Sequence, residues 1–274
     1  QHLYIFPKTK TKMKLTDIIA VVSILILLSI SLFFLWTNLP TEKVQFEEYK
    51  AQISNDPPLQ SSQFFPNMRY SKKEITYSLS HLCSQKKQED FVEATKILEQ
   101  RTTLKFLQSQ EEVDIEVTCS NISPQPEEEG HFIAGEGGPS LFINTSLYGI
   151  IISGKIALYR QETCPTPQIA LHELLHALGF DHNSNEQSIM FPITSCKQKL
   201  DQFIIDEIND VYSQQSLPDL IVENIQATKV GRDINFEIIV LNQGLKKIEN
   251  SSLELVVKNE VIRNFELGDI DIGA

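Results

Sequence analysis

Residues 169 to 182 read Ile-Ala-Leu-His-Glu-Leu-Leu-His-Ala-Leu-Gly-Phe-Asp-His. His172 and His176 are four residues apart, so on a helix both imidazoles leave the same face. Glu173 lies about 100° further around, free to reach a metal-held water instead of the metal. Gly179 suits the left-handed position just past a helix C-terminus. From there the chain can turn back and bring His182 to the same point. Three neutral imidazoles and one water make an open tetrahedral zinc site, the arrangement that leaves a position for chemistry. The chain has only six histidines, and three of them fall here.

The stretch from His172 to His182 follows the pattern HExxHxxGxxH, and Ser188-Ile189-Met190-Phe191-Pro192 follows downstream. Together they resemble the zinc motif and Met-turn of the metzincins, and of the matrixins in particular. The resemblance runs from about Asn67 to Ser213. It implies an α+β metzincin fold, a mixed twisted sheet with the active-site helix and a C-terminal helix. It also implies a zinc metalloendopeptidase that cuts proteins or peptides, with one catalytic Zn2+ on His172, His176 and His182. In that scheme Glu173 is the general base toward a zinc-activated water. Met190 forms a hydrophobic floor beneath the ligands without binding the metal. Residues 192–200 would shape the pocket for the residue after the cut bond. Phe191 stands where some relatives carry tyrosine, so no phenol can assist from there.

Hydrophobic and charged fractions of 41% and 22% are those of an ordinary globular protein. The net charge of −12 argues against non-specific nucleic-acid binding. Residues 18–36 are apolar except for Ser23, Ser29 and Ser31. A run of about 19 such residues crosses a bilayer core as a helix. Lys8, Lys10, Lys12 and Lys14 precede it, which places the N-terminus in the cytosol and all that follows outside. The rival is a cleaved signal peptide. The run is longer than a usual signal core, and Trp36-Thr37-Asn38-Leu39-Pro40 is a poor cleavage site.

The expected layout is a cytoplasmic tail at 1–17, a transmembrane helix at 18–39 and a polar stalk at 40–66. A matrixin-like domain at 67–215 and a β-rich segment at 216–274 follow. Matrixins are often kept latent by a pro-segment cysteine on the zinc, and the stalk has no cysteine. Outside the cytosol the four cysteines are expected to pair, with three connectivities open. Cys164 and Cys196 flank the zinc motif and the Met-turn, so a bridge between them would tie the two halves of the cleft. That would leave Cys83 with Cys119.

Alternation predicts strands at Glu74–Ser80 and Val113–Thr118, and 148–159 is rich in strand formers. Helical spacing predicts helices over 88–101, 167–178 and 201–212. Residues 122–130 read as a surface loop whose three glutamates match no calcium loop, leaving a calcium site unsupported. Phe132, Ile133, Ala134 and Gly135, opening a glycine-rich run, resemble the matrixin edge strand that pairs with bound peptide. A plain glycine-rich turn fits the same residues. His131 beside it is a lone histidine and no second metal is assigned to it. Asn121, Asn144 and Asn250 open glycosylation triplets.

Beyond Ser216, Pro218-Asp219-Leu220 and Asn242-Gln243-Gly244 frame three β-rich runs at 221–225, 234–241 and 253–257. The pattern resembles CARDB-type immunoglobulin-like modules, which leaves room for a cell-surface partner, and a plain all-β appendage is the rival. The segment has about 55 residues against roughly 100 for a full sandwich, so an incomplete sandwich is expected. The alternative function for the whole chain is a catalytically inactive cell-surface binding or adhesion module that keeps a zinc site. The intact Glu173 counts against it. A zinc exopeptidase would need a charged pocket for a free terminus, which no motif marks.

Overall fold

The computed structural model describes residues 15–37, 62–124 and 133–274. The chain divides into two compact units, residues 1–48 with 225–237 and residues 49–224 with 238–274. In the first, helix α1 spans Leu15–Thr37. Its described side chains, at 16, 22–31 and 33, form a shorter apolar run than the sequence provides. Among the described residues no helix is long and apolar enough to cross a membrane. The tail at 1–14, most of the expected stalk and the centre of the acidic loop, with His131 and Phe132, lie outside the described residues.

The second unit is built on one mixed sheet. Its strands are β1 (Arg69–Tyr70), β2 (Glu74–Leu79), β3 (Lys105–Gln108), β4 (Ile115–Cys119), β5 (Gly135–Asn144) and β6 (Gly149–Leu158). They lie in the order β1-β6-β4-β2-β3, all parallel, with β5 antiparallel on the other edge of β6. Helix α2 (Gln85–Arg101) carries the crossover from β2 to β3 that a parallel pair requires. It starts three residues before the spacing predicts because Ser84 caps it, accepting from the Lys87 amide. Strands β1 and β3, of two and four residues, are too short to show a period. Phe91, Ala94 and Leu98 of α2 join Ile75, Ile115, Val117 and Ile156 of the sheet in one buried core.

Helix α3 (Gln168–Ala177) packs against β5, β6 and α2. Every residue from 170 to 178 is buried, so this helix is core on all sides. Its end is built as expected. Gly179 has φ +97° and the Phe180 amide reaches back to Leu175 O, while a Cβ on Gly179 would come within 2.8 Å of Met68. Helix α4 (Gln202–Val211) closes the domain. The buried Arg69 guanidinium donates to Val211 O and Gln214 O past its end and stacks over Tyr212. That ties β1 to the C-terminal end of α4, where a cation is favoured.

The C-terminal segment forms β7 (Leu220–Val230) paired with β8 (Asp233–Asn242), and β9 (Ile248–Val257) antiparallel to β10 (Glu260–Ile270). The described strands of this segment form two two-stranded sheets, and the expected incomplete sandwich is not shown. Val256, Val257, Val261 and Ile262 are exposed. The two framing motifs do meet. Gln243 N–H bonds Asp219 O, and the Asn242 amide oxygen accepts from the Asp219 and Gly244 amides. Thr145 and Ser146, in the β5–β6 turn, donate to Gln243 and attach this region to the sheet.

Candidate active site

The three imidazoles converge as the spacing requires. Their Nε2 atoms lie 3.1, 3.1 and 3.2 Å apart. His172 and His176 are buried and His182 is exposed. The Nδ1–H of His172 donates to Ile189 O at 2.6 Å, and that of His176 to Phe180 O at 2.7 Å. A carbonyl only accepts, so each ring has its proton on Nδ1 and a bare lone pair on Nε2. The 3.1 Å approach of those two Nε2 atoms is therefore not a hydrogen bond. Two lone pairs face each other, which is stable only around a cation.

Burial holds both rings neutral, pulling His172 down to about 3 and His176 to about 4, and it lowers His182 as well. Tetrahedral bonds of about 2.0–2.1 Å space nitrogens roughly 3.3–3.4 Å apart, close to what these three rings present. The donor set fits zinc, with an open fourth position.

Glu173 is 6% exposed, and its carboxyl rises to about 8, from burial first and the nearby Glu136 second. Strand β5 passes directly over it. A Cβ on Gly135 would lie 2.8 Å from Glu173 Oε1, and one on Gly137 would lie 2.3 Å from Glu173 O. These glycines let the edge strand lie on the helix backbone. The glycine-rich run is thus a strand, and its bounds are a correction: Gly135 opens it, while Ile133 and Ala134 precede it. Ala134 O still accepts from the Tyr159 and Arg160 amides. Beyond β6, the other edge of β5 pairs with nothing among the described residues.

Met190 is fully buried in the core beside Ile189, whose carbonyl fixes the His172 ring. The cysteines pair as Cys83–Cys119 and Cys164–Cys196. Gln198 is buried and braces the loop around Cys196, bonding Ile193 O and the Ser195 amide.

Three further contributors have no sequence signature. Glu162 is buried and accepts from the amides of Thr163, Cys164 and Ile169, capping α3 from outside because Pro167 has no side chain to do so. Phe64 stacks on His176 at 5.8 Å, and its amide donates to Gly179 O, so the end of the expected stalk docks beside the ligands. The Tyr159 hydroxyl donates to Glu136 Oε2 at 2.5 Å, and this bond pushes the phenol up to about 12.

The matrixin sequence family matches residues 69–217, just over half of the chain, and the match contains this whole histidine and glutamate cluster. The chain belongs to the matrixin family. No curated protein matches the chain. Matrixin membership and the three-histidine cluster make the protein a zinc metalloprotease, acting on proteins or peptides. Its fold, with a parallel sheet, one antiparallel edge and the active-site helix beneath, is consistent with the metzincin type.

Proposed function

We propose that this matrixin is a membrane-anchored, extracytoplasmic endopeptidase with Glu173 as general base. The observation that carries the reading is Glu173 itself, buried beside three converging Nε2 lone pairs and lodged under an open strand edge. His172, His176 and His182 hold the metal, and their Nδ1 bonds keep the first two aimed. Zinc bound there supplies Lewis acidity that lowers the pKa of a water from about 15.7 toward 7. A cation held on the three imidazoles would favour the ionised form of the Glu173 carboxyl, which would then take the proton of the attacking water and return it to the leaving amine. An extended substrate would add to β5 through backbone hydrogen bonds, running past the site in both directions, which suits internal cuts.

The anchor rests on residues 18–36, on their place in the 23-residue helix α1 and on the lysines before it. The layout of tail 1–17, anchor 18–39, stalk 40–66, protease 67–215 and β segment 216–274 goes with that reading. Glu173→Gln should retain zinc by mass spectrometry while peptide cleavage falls by about 10²–10⁴. Full activity in that variant sinks the mechanism. Cuts confined to chain termini would sink the endopeptidase reading. Release of the full chain from membranes by alkaline carbonate would sink the anchor.

A further inference from the structure

We infer that Glu136 is a specificity-determining residue selecting a basic substrate side chain next to the cut bond; this rests on the proposed peptidase reading and on β5 as the substrate edge. Across the open face of the sheet, opposite α3, side chains stand in rows. Thr118 of β4 is registered with Ala157 of β6, and Ala157 with Glu136 of β5. The row ends at Glu136, because β5 has no further neighbour among the described residues. An extended peptide added to that edge puts one of its side chains in the next place of the row, with Cβ about 4.5–5.5 Å from that of Glu136.

The chemistry of that place is anionic and prepared. Tyr159 O–H donates to Oε2 of Glu136, which fixes the carboxylate and leaves Oε1 free to accept. Among the described residues no cation pairs with Glu136. Lys155, a cation of the same face, stands in the adjacent row between Gly138 and Glu116. Glu136, Lys155 and Glu116 line a shallow cavity of about 370 Å³ beside β5, with Thr118 and Ser140 as its other polar walls. Ala157 is small, so a long lysine or arginine side chain has room to lie over it toward the carboxylate.

The row also fixes where the basic residue must be. Gly135, one position before Glu136, is the strand residue nearest the Glu173 carboxylate. The substrate residue beside Glu136 is therefore within about one or two positions of the cut bond, and its side chain points away from α3, since neighbours on a strand alternate. The competing explanation is that Glu136 is only an edge charge that discourages strand pairing. Such a guard would show no dependence on substrate charge.

The test uses the full chain and fluorogenic peptides identical except for Lys, Ala or Glu at each position flanking the cut. The expected result is a two- to fivefold higher kcat/KM for Lys than for Ala at one position only, with Glu below Ala. The Lys/Ala ratio should fall toward one in Glu136→Gln and in 0.5 M salt with the wild type, and invert in Glu136→Lys. Tyr159→Phe should lower it as well. A wild-type ratio of one with chelator-sensitive cleavage intact overturns this inference alone, as does a ratio unmoved by both salt and Glu136→Lys. Absence of chelator-sensitive cleavage of every peptide overturns the peptidase reading, and this inference with it.

Discussion

Replacing Gly137 by alanine tests the link between the edge strand and the catalytic carboxylate. The new methyl would stand 2.3 Å from Glu173 O, 2.9 Å from its carbonyl carbon and 3.0 Å from its Cα. These are helix backbone atoms, so no rotamer change relieves the contact. Ordinary contact begins at 3.4 Å, so β5 and α3 must separate by 3.4 − 2.3 = 1.1 Å. Overpacking of this kind costs about 1–3 kcal/mol, roughly 3–10 °C in Tm for a domain of this size. A displacement of about 1 Å among catalytic groups costs on the order of 100-fold in rate.

Gly138→Ala is the matched control. A Cβ there meets nothing within 4 Å, so stability should stay within about 0.5 kcal/mol. Thermal melts, zinc content and kcat/KM on one peptide are measured for both variants. Gly137→Ala should keep zinc, melt earlier and lose most of its rate. If the two variants behave alike in melting and in rate, the glycine gap does not seat Glu173.

Three further outcomes are expected. Glu162→Ala leaves the part-buried amides of Thr163, Cys164 and Ile169 without their acceptor and should cost about 1–3 kcal/mol by urea unfolding, and a loss below about 0.5 kcal/mol would show that water replaces the cap. The double change Cys164→Ser with Cys196→Ser opens a 32-residue separation and should cost about 2–4 kcal/mol in the oxidised protein, and in reductant, where both bridges are open in either protein, the difference from the wild type should vanish. For chelated protein, stability should peak near pH 6.5. The folded values of His172 and His176 lie below their ordinary 6.5, so their contribution is complete above that pH and is lost on acidification. Glu173 lies above its ordinary 4.5, so its contribution is lost as pH rises toward 8. Between 4.5 and 6.5 two groups outweigh one, for a net gain of about 1.4 kcal/mol per pH unit, and above 6.5 Glu173 alone reverses the sign. Urea unfolding across pH 5–8 that rises without a maximum would refute this assignment.

The sequence by itself determined the metal ligands, the base and the helix that holds them, because all of these are local. A helical turn separates His172 from His176, and Gly179, having no Cβ, permits φ +97° where the chain reverses toward His182. Strands β2, β4 and β6 were legible for the same reason, as runs of alternating or β-rich residues. Only the tertiary structure decided which side chains and backbone groups support those residues. The carbonyls that fix the histidine tautomers belong to Ile189 and Phe180, and the first comes from 17 positions beyond His172. Glu162 caps α3 across a seven-residue reach, and Gly137 matters because of a helix that begins some thirty residues later. A glycine run such as 135–138 carries no period, so its identity as a strand comes from β6 alongside it and α3 beneath it. Ligand spacing is written in the turn of a helix, whereas preorganisation is made by contacts between elements, which no short stretch of chain encodes.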